Sequence, residues 1–461
     1  MSNNKSYWLK SGLFTLFEKG SVFLFGFGST YLLLRALTKE QFGVWVIFFA
    51  VISFVEVGRI GLLQNALVKY LATVDKDDEK QYSSIVTASF VLNLILTAIC
   101  IGIIALVAQP LAELNEAPEL INLLYIYMIT TSLLVPFHQF NFIQQGNFDF
   151  KGIFWSNFTR QGLFFCFVVV IYFSSVEVTL TKLALWQIVT AVAGAITSWW
   201  FARPYLRFSR QLSWEWVSKL FHFGKYVFGT NLSTTLYKTI DRLMLGTLLS
   251  PIATATYEVA IRITNLADVP TFSIAAIVFP QSAKQMKEDG QSAIKDLYEK
   301  SVGAILAFLI PFFTFIWIFA EPIITIIATE KYLDAVPILR WTLLFGLFMP
   351  FAVQFGTVLD SIGKPNVNFF FTLFSAVLNV VFNYVFIINY GVIGAAYGTV
   401  LTYAVIFVLM QIILNRMLGV VFWNAFKNII PFYQQAYEIA MEKLGKREMV
   451  ADESMELPQE V

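Results

Sequence analysis

The feature that most limits what this chain can become is a series of apolar blocks, each long enough to cross a bilayer. They fall at about residues 11–36, 42–66, 83–108, 121–143, 153–174 and 180–202. After a polar stretch they resume at about 220–248, 254–280, 301–328, 337–360, 367–389 and 392–414. A crossing helix needs roughly 20 apolar residues at 1.5 Å rise each, so the pattern predicts about twelve transmembrane helices. Strands are poor candidates, because lipid-exposed strands must close into a barrel and barrels show short alternating segments instead. Only 14% of the residues are charged and 57% are hydrophobic. A soluble domain averages about 25% charged residues, so this chain lacks the polar material to coat a water-facing surface. The fold class expected is all-α integral membrane.

Lysine and arginine in the connections orient the helices. Counting the N-terminus, the even-numbered connections and the tail gives twenty; the odd-numbered connections hold only Lys39, Lys182 and Lys331. That bias places both termini in the cytoplasm. Net charge is +1, which favours neither nucleic acid nor a strongly charged soluble partner. Cys100 and Cys166 lie inside apolar runs and read as small hydrophobes. Two histidines, His138 and His222, argue against a histidine-built metal site. The start, MSNNKSYWLKSG, carries no cleavable leader pattern, and the first apolar run reads as a retained span.

Shifting the chain against itself by roughly 212 residues brings two halves into weak register, a symmetry common in transporters. LTKEQFGVW (Leu37 to Trp45) then faces LSPIATATY (Leu249 to Tyr257), and Glu56 faces Asp268. Six spans per half is an even number, so both halves insert the same way up, as a parallel repeat about an axis along the membrane normal. The expected organisation is a six-helix bundle over 1–202, a cytoplasmic linker over 203–219 and a second bundle over 220–416. A cytoplasmic tail over 417–461 reads as an amphipathic interfacial helix followed by the acidic end ADESMELPQEV.

Ionisable groups at membrane depth are costly, so each is a functional candidate. Glu18 and Lys19 lie in the first span, Glu56 and Arg59 in the second. Lys238, Asp241 and Arg242 lie in the seventh, and Glu258, Arg262, Asn265 and Asp268 in the eighth. The loaded spans are the first two of each half, as two bundles lining a shared cavity would require. Glu56 with Arg59, and Lys238 with Arg242, share a helix face; Glu258, Arg262 and Asn265 form one stripe. Several cations in a wet cavity suit a phosphate-bearing ligand. The carboxylates either balance those cations or carry a coupling ion. The alternative is that Glu56–Arg59 and Glu258–Arg262 are ion pairs that only fix helix packing. Arg35, near the outer end of its span, is expected to snorkel to the interface. Arg160 faces either the cavity or a neighbouring helix. His138, Gln139, Asn141, Gln144 and Gln145 read as headgroup contacts. Asn379 and Asn383, four apart, read as bonds across helices.

The elements LTKEQFGVW and GLLQNALVKYLA in the first half, with TIDRLMLGTLLSPIATATYEVAIRI, VFPQSAKQ, EKYLDAVPILRWT, GKPNVNFFFTLFSAVLNVVFNYVFI and GVIGAAYGT in the second, carry a family likeness through their order and spacing. The chain resembles the Wzx-type oligosaccharide and polysaccharide flippases of the multidrug/oligosaccharidyl-lipid/polysaccharide (MOP) exporter superfamily, over about residues 10 to 416. The resemblance implies two six-helix bundles around a V-shaped, cation-rich cavity in a bacterial inner membrane. It also implies translocation of undecaprenyl-pyrophosphate-linked oligosaccharide by alternating access. The cations carried over are Lys19, Arg59, Lys238, Arg242 and Arg262; the coupling or charge-balancing carboxylates are Glu56, Asp241, Glu258 and Asp268. For the Asp241-Arg242 pair, a gate or interhelical lock stands beside substrate contact. Implied partners are the lipid-linked substrate, membrane lipids, a coupling proton or sodium ion and other polysaccharide assembly proteins, with no cofactor, metal or nucleic acid.

No Walker-type phosphate loop is present, so ATP does not drive the step directly. The rivals are a drug or cation exporter of the same superfamily, disfavoured by five cavity cations, and a membrane polysaccharide polymerase or glycosyltransferase, disfavoured by the absence of a sizeable outer loop. A membrane scaffold would not need charges in the bilayer core.

Overall fold

The computed structural model describes residues 2–74, 78–174, 177–288, 290–434, 437–438 and 441; the acidic end of the tail lies outside them. Among the described residues every extended regular element is a helix. The first half contains α1 (Ser2–Ala36), α2 (Lys39–Thr73), α3 (Glu79–Leu114), α4 (Glu119–Gly146), α5 (Phe150–Phe173) and α6 (Leu180–Ala202). Then follow α7 (Trp214–Leu248), α8 (Pro251–Thr264), α9 (Asp268–Glu288), α10 (Gln291–Ile318), α11 (Ala320–Ala328), α12 (Val336–Gly346), α13 (Met349–Ser361), α14 (Pro365–Tyr390), α15 (Val392–Leu418) and the short α16 (Phe422–Lys427).

Ten helical stretches among the described residues are long and apolar enough to cross a bilayer. Outside that set stand α1 and α7, each of 35 residues. What lowers their hydropathy is the charge they carry inside: Glu18 and Lys19 in α1, and Lys225, Lys238, Asp241 and Arg242 in α7. Helix starts follow local chemistry. Thr38 and Gln41 form a reciprocal capping box at α2, and Asp78, Asp149, Thr179 and Ser213 each accept a backbone N–H at the start of α3, α5, α6 and α7.

Three of the apolar blocks are broken rather than continuous. The block at 254–280 divides at a 3-10 turn over Asn265–Ala267, the block at 301–328 at Phe319, and the block at 337–360 at Leu347–Phe348. Each break is followed within three residues by a proline, Pro270, Pro322 or Pro350, set in the first turn of the next helix. Proline has no N–H to give, and a first-turn N–H has no intrahelical acceptor anyway. Pro110, Pro136 and Pro311 instead lie inside continuous helices.

Residue contacts group the chain into two compact units. The first comprises 1–259, 324–336 and 372–398; the second comprises 260–323, 337–371 and 399–461. In the first unit a buried apolar cluster joins Leu63 and Leu67 of α2, Ile85 and Leu92 of α3, Phe142 and Ile143 of α4, and Leu220 of α7. Glycine sets the approach of α7 to α2: a Cβ at Gly224 would run into the backbone carbonyl of Leu62. Along α1 and α5, Phe25 lies edge-on to Phe158 at 5.1 Å and stacks on Phe165 at 5.6 Å.

Helix ends in this unit cap one another. Arg35, expected to reach the interface, is engaged by the chain itself. Its guanidinium donates to the carbonyls of Ile327 (2.8 Å) and Ile326 at the C-terminal end of α11, and stacks 3.5 Å from the Tyr31 ring centroid. Lys331 returns the favour with a 2.7 Å bond to the Leu37 carbonyl just past α1. The last carbonyls of a helix have no intrahelical donor, so both contacts fill a standing need. Beside them Asp334 accepts from Lys39 at 2.7 Å and from Thr256 at 3.2 Å.

In the second unit Thr264 and Thr342 share a 2.7 Å bond between α8 and α12, and Phe345 stacks on Tyr403 at 5.3 Å. The tail turns back on α10. Buried Glu299 accepts from the Val421 N–H (2.8 Å) and from Asn424 Nδ2 (3.0 Å), which seats α16.

Candidate functional site

Glu56 and Arg59 lie one helical turn apart on α2, and the structure builds a closed cage around them. Arg59 Nη2 donates to both Glu56 oxygens at 2.8 Å, and Nη1 donates to the Thr131 carbonyl of α4, also at 2.8 Å. The Arg59 side chain is 1% exposed. Tyr127 donates its hydroxyl to Glu56, and His138 Nε2 sits 3.2 Å from the same carboxylate. An uncompensated charge at this depth would cost several kcal/mol, so a buried pair persists only with this degree of satisfaction. Arg59 therefore links α2 to α4 with its charge matched by Glu56, although its Nε is buried without a hydrogen-bond partner.

Next to the cage is a cavity of about 390 Å³ within the first unit, and its walls are stripes at helical spacing. Thr15, Glu18 and Lys19 come from α1, Ile60 and Gln64 from α2, His138, Asn141 and Gln145 from α4, and Ile153, Asn157 and Arg160 from α5. Gln64 bonds Gln145 across it at 2.9 Å. Glu18 and Lys19 lie 3.4 Å apart, with the lysine side chain 76% exposed. Arg160 lines the cavity and at the same time lies against the neighbouring helix α4. Its guanidinium carbon lies 5.2 Å from the Phe137 ring centroid, and its Nε is buried without a hydrogen-bond partner. On α6, Gly194 leaves the space that Phe137 and the Arg160 Cβ occupy, each 3.1 Å from where a Cβ would be.

The amides at the end of α4 divide by face and are not headgroup contacts. Gln139 is fully buried and bonds Ser89 and Asn93 of α3. Gln144 is equally buried and bonds Ser198 of α6. Asn141 accepts from Ser156 and Ser198. These bonds tie α4 to its neighbours and aim His138 and Gln145 inward.

A second polar cluster joins α7, α8 and α14, also within the first unit. Asp241 accepts from Tyr257 (2.6 Å) and from Asn383 (2.8 Å), and Asn383 donates in turn to Asn379 (3.1 Å). All four are buried, so the asparagines do bond across helices, with Asp241 as their acceptor. Arg242 pairs with Glu258 at 2.5 Å and donates to the Lys238 carbonyl. The stripe read from sequence set Glu258 beside Arg262 on one helix; the bond from Arg242 shows Glu258 also reaching across to α7.

Of the five cations singled out by sequence, Arg59 and Arg242 are buried or nearly so and paired with Glu56 and Glu258, Lys19 is exposed and paired with Glu18, and Lys238 and Arg262 stand at exposed positions. Asp268 stands in the first turn of α9, where a carboxylate complements the helix dipole. Arg262 and Asp268 belong to the second unit. Tyr127 and His138 were missed as partners of Glu56, as was Tyr257 for Asp241. For His138 a signal existed: 138, 141 and 145 recur at one-turn spacing, an inward polar stripe. Tyr127 and Tyr257 carry none, since tyrosine in an apolar helix looks like core.

The model of the polysaccharide biosynthesis protein family matches residues 32–337, more than half of the chain. The chain belongs to that family. One relative of this family member is the probable low-salt glycan biosynthesis flippase Agl15 of Haloferax volcanii, 25% identical over 193 residues, 42% of this chain and 41% of that protein. The chain spans under half the length of the curated relatives it matches, 44% of one and 41% of the other. Among solved structures, an inward-facing multidrug resistance MATE family transporter of the MOP superfamily aligns at TM-score 0.72 with 18% identity, over 86% of this chain and 95% of that one. The lipid II flippase MurJ in an inward closed conformation aligns at TM-score 0.68 with 15% identity, over 93% and 92%. At such identities the likeness is one of fold: this is a multi-pass, all-α membrane protein with the MOP superfamily architecture.

Proposed function

We propose that this protein is a flippase that carries an undecaprenyl-pyrophosphate-linked oligosaccharide from the cytoplasmic to the outer leaflet of the plasma membrane by alternating access. The observation that carries the reading is the polar, cation-bearing cavity among the helices of the first unit of a polysaccharide biosynthesis family member. A hydrated sugar and a diphosphate cannot shed water into hydrocarbon without losing several kcal/mol per unsatisfied group. A cavity walled by amides and cations replaces that water while the prenyl tail stays in lipid. The glycan flippase and the MurJ fold among its likenesses support transport rather than enzyme chemistry.

The cavity walls come from the first half of α1, the second half of α2, the end of α4 and the start of α5. Those halves lie toward the lysine-rich connections, which we assign to the cytoplasm together with both termini. The cavity then opens on the leaflet where lipid-linked sugars would be loaded. We take 1–202 and 220–416 as two six-helix halves, with 203–219 as linker and 417–461 as a cytoplasmic tail. Lys19, Lys238 and Arg262 are the cations offered to substrate. Arg59 and Arg242 hold the halves' inner packing through Glu56 and Glu258. Asp241 and Asp268 complete the set of carboxylates that balance charge or couple a proton or sodium ion.

Deleting the gene in its source organism and quantifying prenyl-diphosphate-linked oligosaccharides beside surface glycan tests this. Accumulated intermediate with lost surface glycan is expected, restored by wild type. Unchanged lipid-linked sugars with greater sensitivity to cationic drugs would move the protein to the exporters.

A further inference from the structure

Arg59 and Arg160 both bury an Nε without a hydrogen-bond partner, but Arg59 is held through its Nη groups by Glu56 and Thr131 and Arg160 is not. It makes no ion pair and no hydrogen bond among the described residues, and its Nε is out of reach of solvent. Leaving a charged donor unsatisfied is expensive, well beyond the 1–3 kcal/mol of a neutral group. The fold nevertheless invests in placing it. Phe137 lies under the guanidinium, Gly194 gives both side chains room, and the α4 amide bonds to α3 and α6 fix the helix that carries Phe137. Charge matching around the cavity leaves the same residue over: Glu56 is taken by Arg59 and Glu18 by Lys19. Arg160 is the surplus positive charge.

We propose that this cavity binds the diphosphate of the lipid-linked cargo on Arg160, with Lys19 closing on it from the mouth and Asn157 and Gln145 meeting the first sugar. The proposal rests on the flippase reading and adds to it the place where the headgroup docks. A guanidinium is a planar fork that matches two phosphate oxygens at once, and stacking on an aromatic face presets its plane. The volume of about 390 Å³ lies within the roughly 300–1,000 Å³ of small-ligand pockets. The lysine, largely exposed beside Glu18, has length and freedom to swing inward when an anion arrives.

The test is binding to the full-length protein in phosphatidylcholine nanodiscs, with farnesyl diphosphate as probe and farnesol, inorganic pyrophosphate and phosphatidylglycerol as comparators. Arg160→Gln should weaken farnesyl diphosphate about 10- to 100-fold, the range of one to two charge-assisted hydrogen bonds. Arg160→Lys should fall between, and Lys19→Gln, at an exposed position, should weaken it several-fold without affecting folding. Inorganic pyrophosphate should compete and farnesol should not. Equal farnesyl diphosphate affinity in wild type and in both Arg160→Gln and Lys19→Gln overturns the proposal, as does tighter Arg160-dependent binding of phosphatidylglycerol, which would assign the site to bulk lipid. Should Arg160→Gln fail to fold, Arg160→Lys and Lys19→Gln carry the same comparison. Flipping measured on the same samples separates the two claims. Undiminished flipping by Arg160→Gln removes the site and keeps the flippase. Arg160-dependent binding without any flipping by wild type keeps the site and removes the flippase.

Discussion

Arg59→Met offers a sharp test of how the membrane interior is held together. The arginine is 1% exposed and gives two hydrogen bonds to Glu56 and one to the Thr131 carbonyl, all at 2.8 Å. Methionine keeps much of the apolar stem and removes every donor. Glu56 would then be left with Tyr127 and His138 alone. Removing one partner of a buried pair costs about 3–5 kcal/mol, because the other charge stays buried without compensation. Glu56→Gln should cost an amount of the same order for the mirror-image reason. The double variant Glu56→Gln/Arg59→Met should cost clearly less than the sum, with a coupling of about 2–3 kcal/mol. Reversible unfolding in mixed micelles, followed by tryptophan fluorescence, measures all three. A single-variant cost under about 1 kcal/mol, with costs that add within about 0.5 kcal/mol, would refute the cage as described.

Other perturbations have equally definite outcomes. Asp241→Asn should destabilise by about 1–3 kcal/mol in the same unfolding assay, since both Tyr257 and Asn383 donate to this side chain and an amide turns one donor toward another. Gly224→Ala should cost about 1–3 kcal/mol, because the new methyl meets the Leu62 backbone, and a wild-type melting profile would contradict the close α2–α7 approach. Arg35→Met, which uncaps the end of α11, should destabilise more than Asp334→Asn, whose half-exposed ion pair with Lys39 is worth under about 1 kcal/mol; the reverse order would count against the capping account. Glu299→Ala should raise amide exchange over 421–427 while leaving α10 protected, and unchanged exchange there would show that α16 is held by something else.

Much of this architecture was readable from the chain because lipid leaves few options. Apolar blocks of 20 or more residues predict helices, and each of the predicted blocks is helical. Where the reading fell short, the cause is local. The breaks at Asn265–Ala267, Phe319 and Leu347–Phe348 depend on prolines in first turns, yet Pro110, Pro136 and Pro311 sit inside intact helices, so proline alone does not mark a break. Glu56 with Arg59 was visible as a one-turn pair, but not that Tyr127 and His138 would enclose it, because partners on another helix leave no spacing in the sequence. Arg35 read as a snorkelling residue since its acceptors lie 291 and 292 positions away. Arg160 was ambiguous for the same reason: one-dimensional spacing gives a helix face, and only packing tells which neighbour that face meets.

Movement of a lipid-linked sugar can be followed as flipping in proteoliposomes. The purified protein would be reconstituted with a fluorescent prenyl-diphosphate oligosaccharide on both leaflets, and a membrane-impermeant lectin or glycosidase would report the exposed fraction over time. The account predicts that exposure passes well beyond the outer-leaflet half within minutes in protein-containing vesicles and stays near half in empty ones. Exposure that stays near half with correctly folded protein present, in vesicles that extrude an organic cation instead, would contradict it.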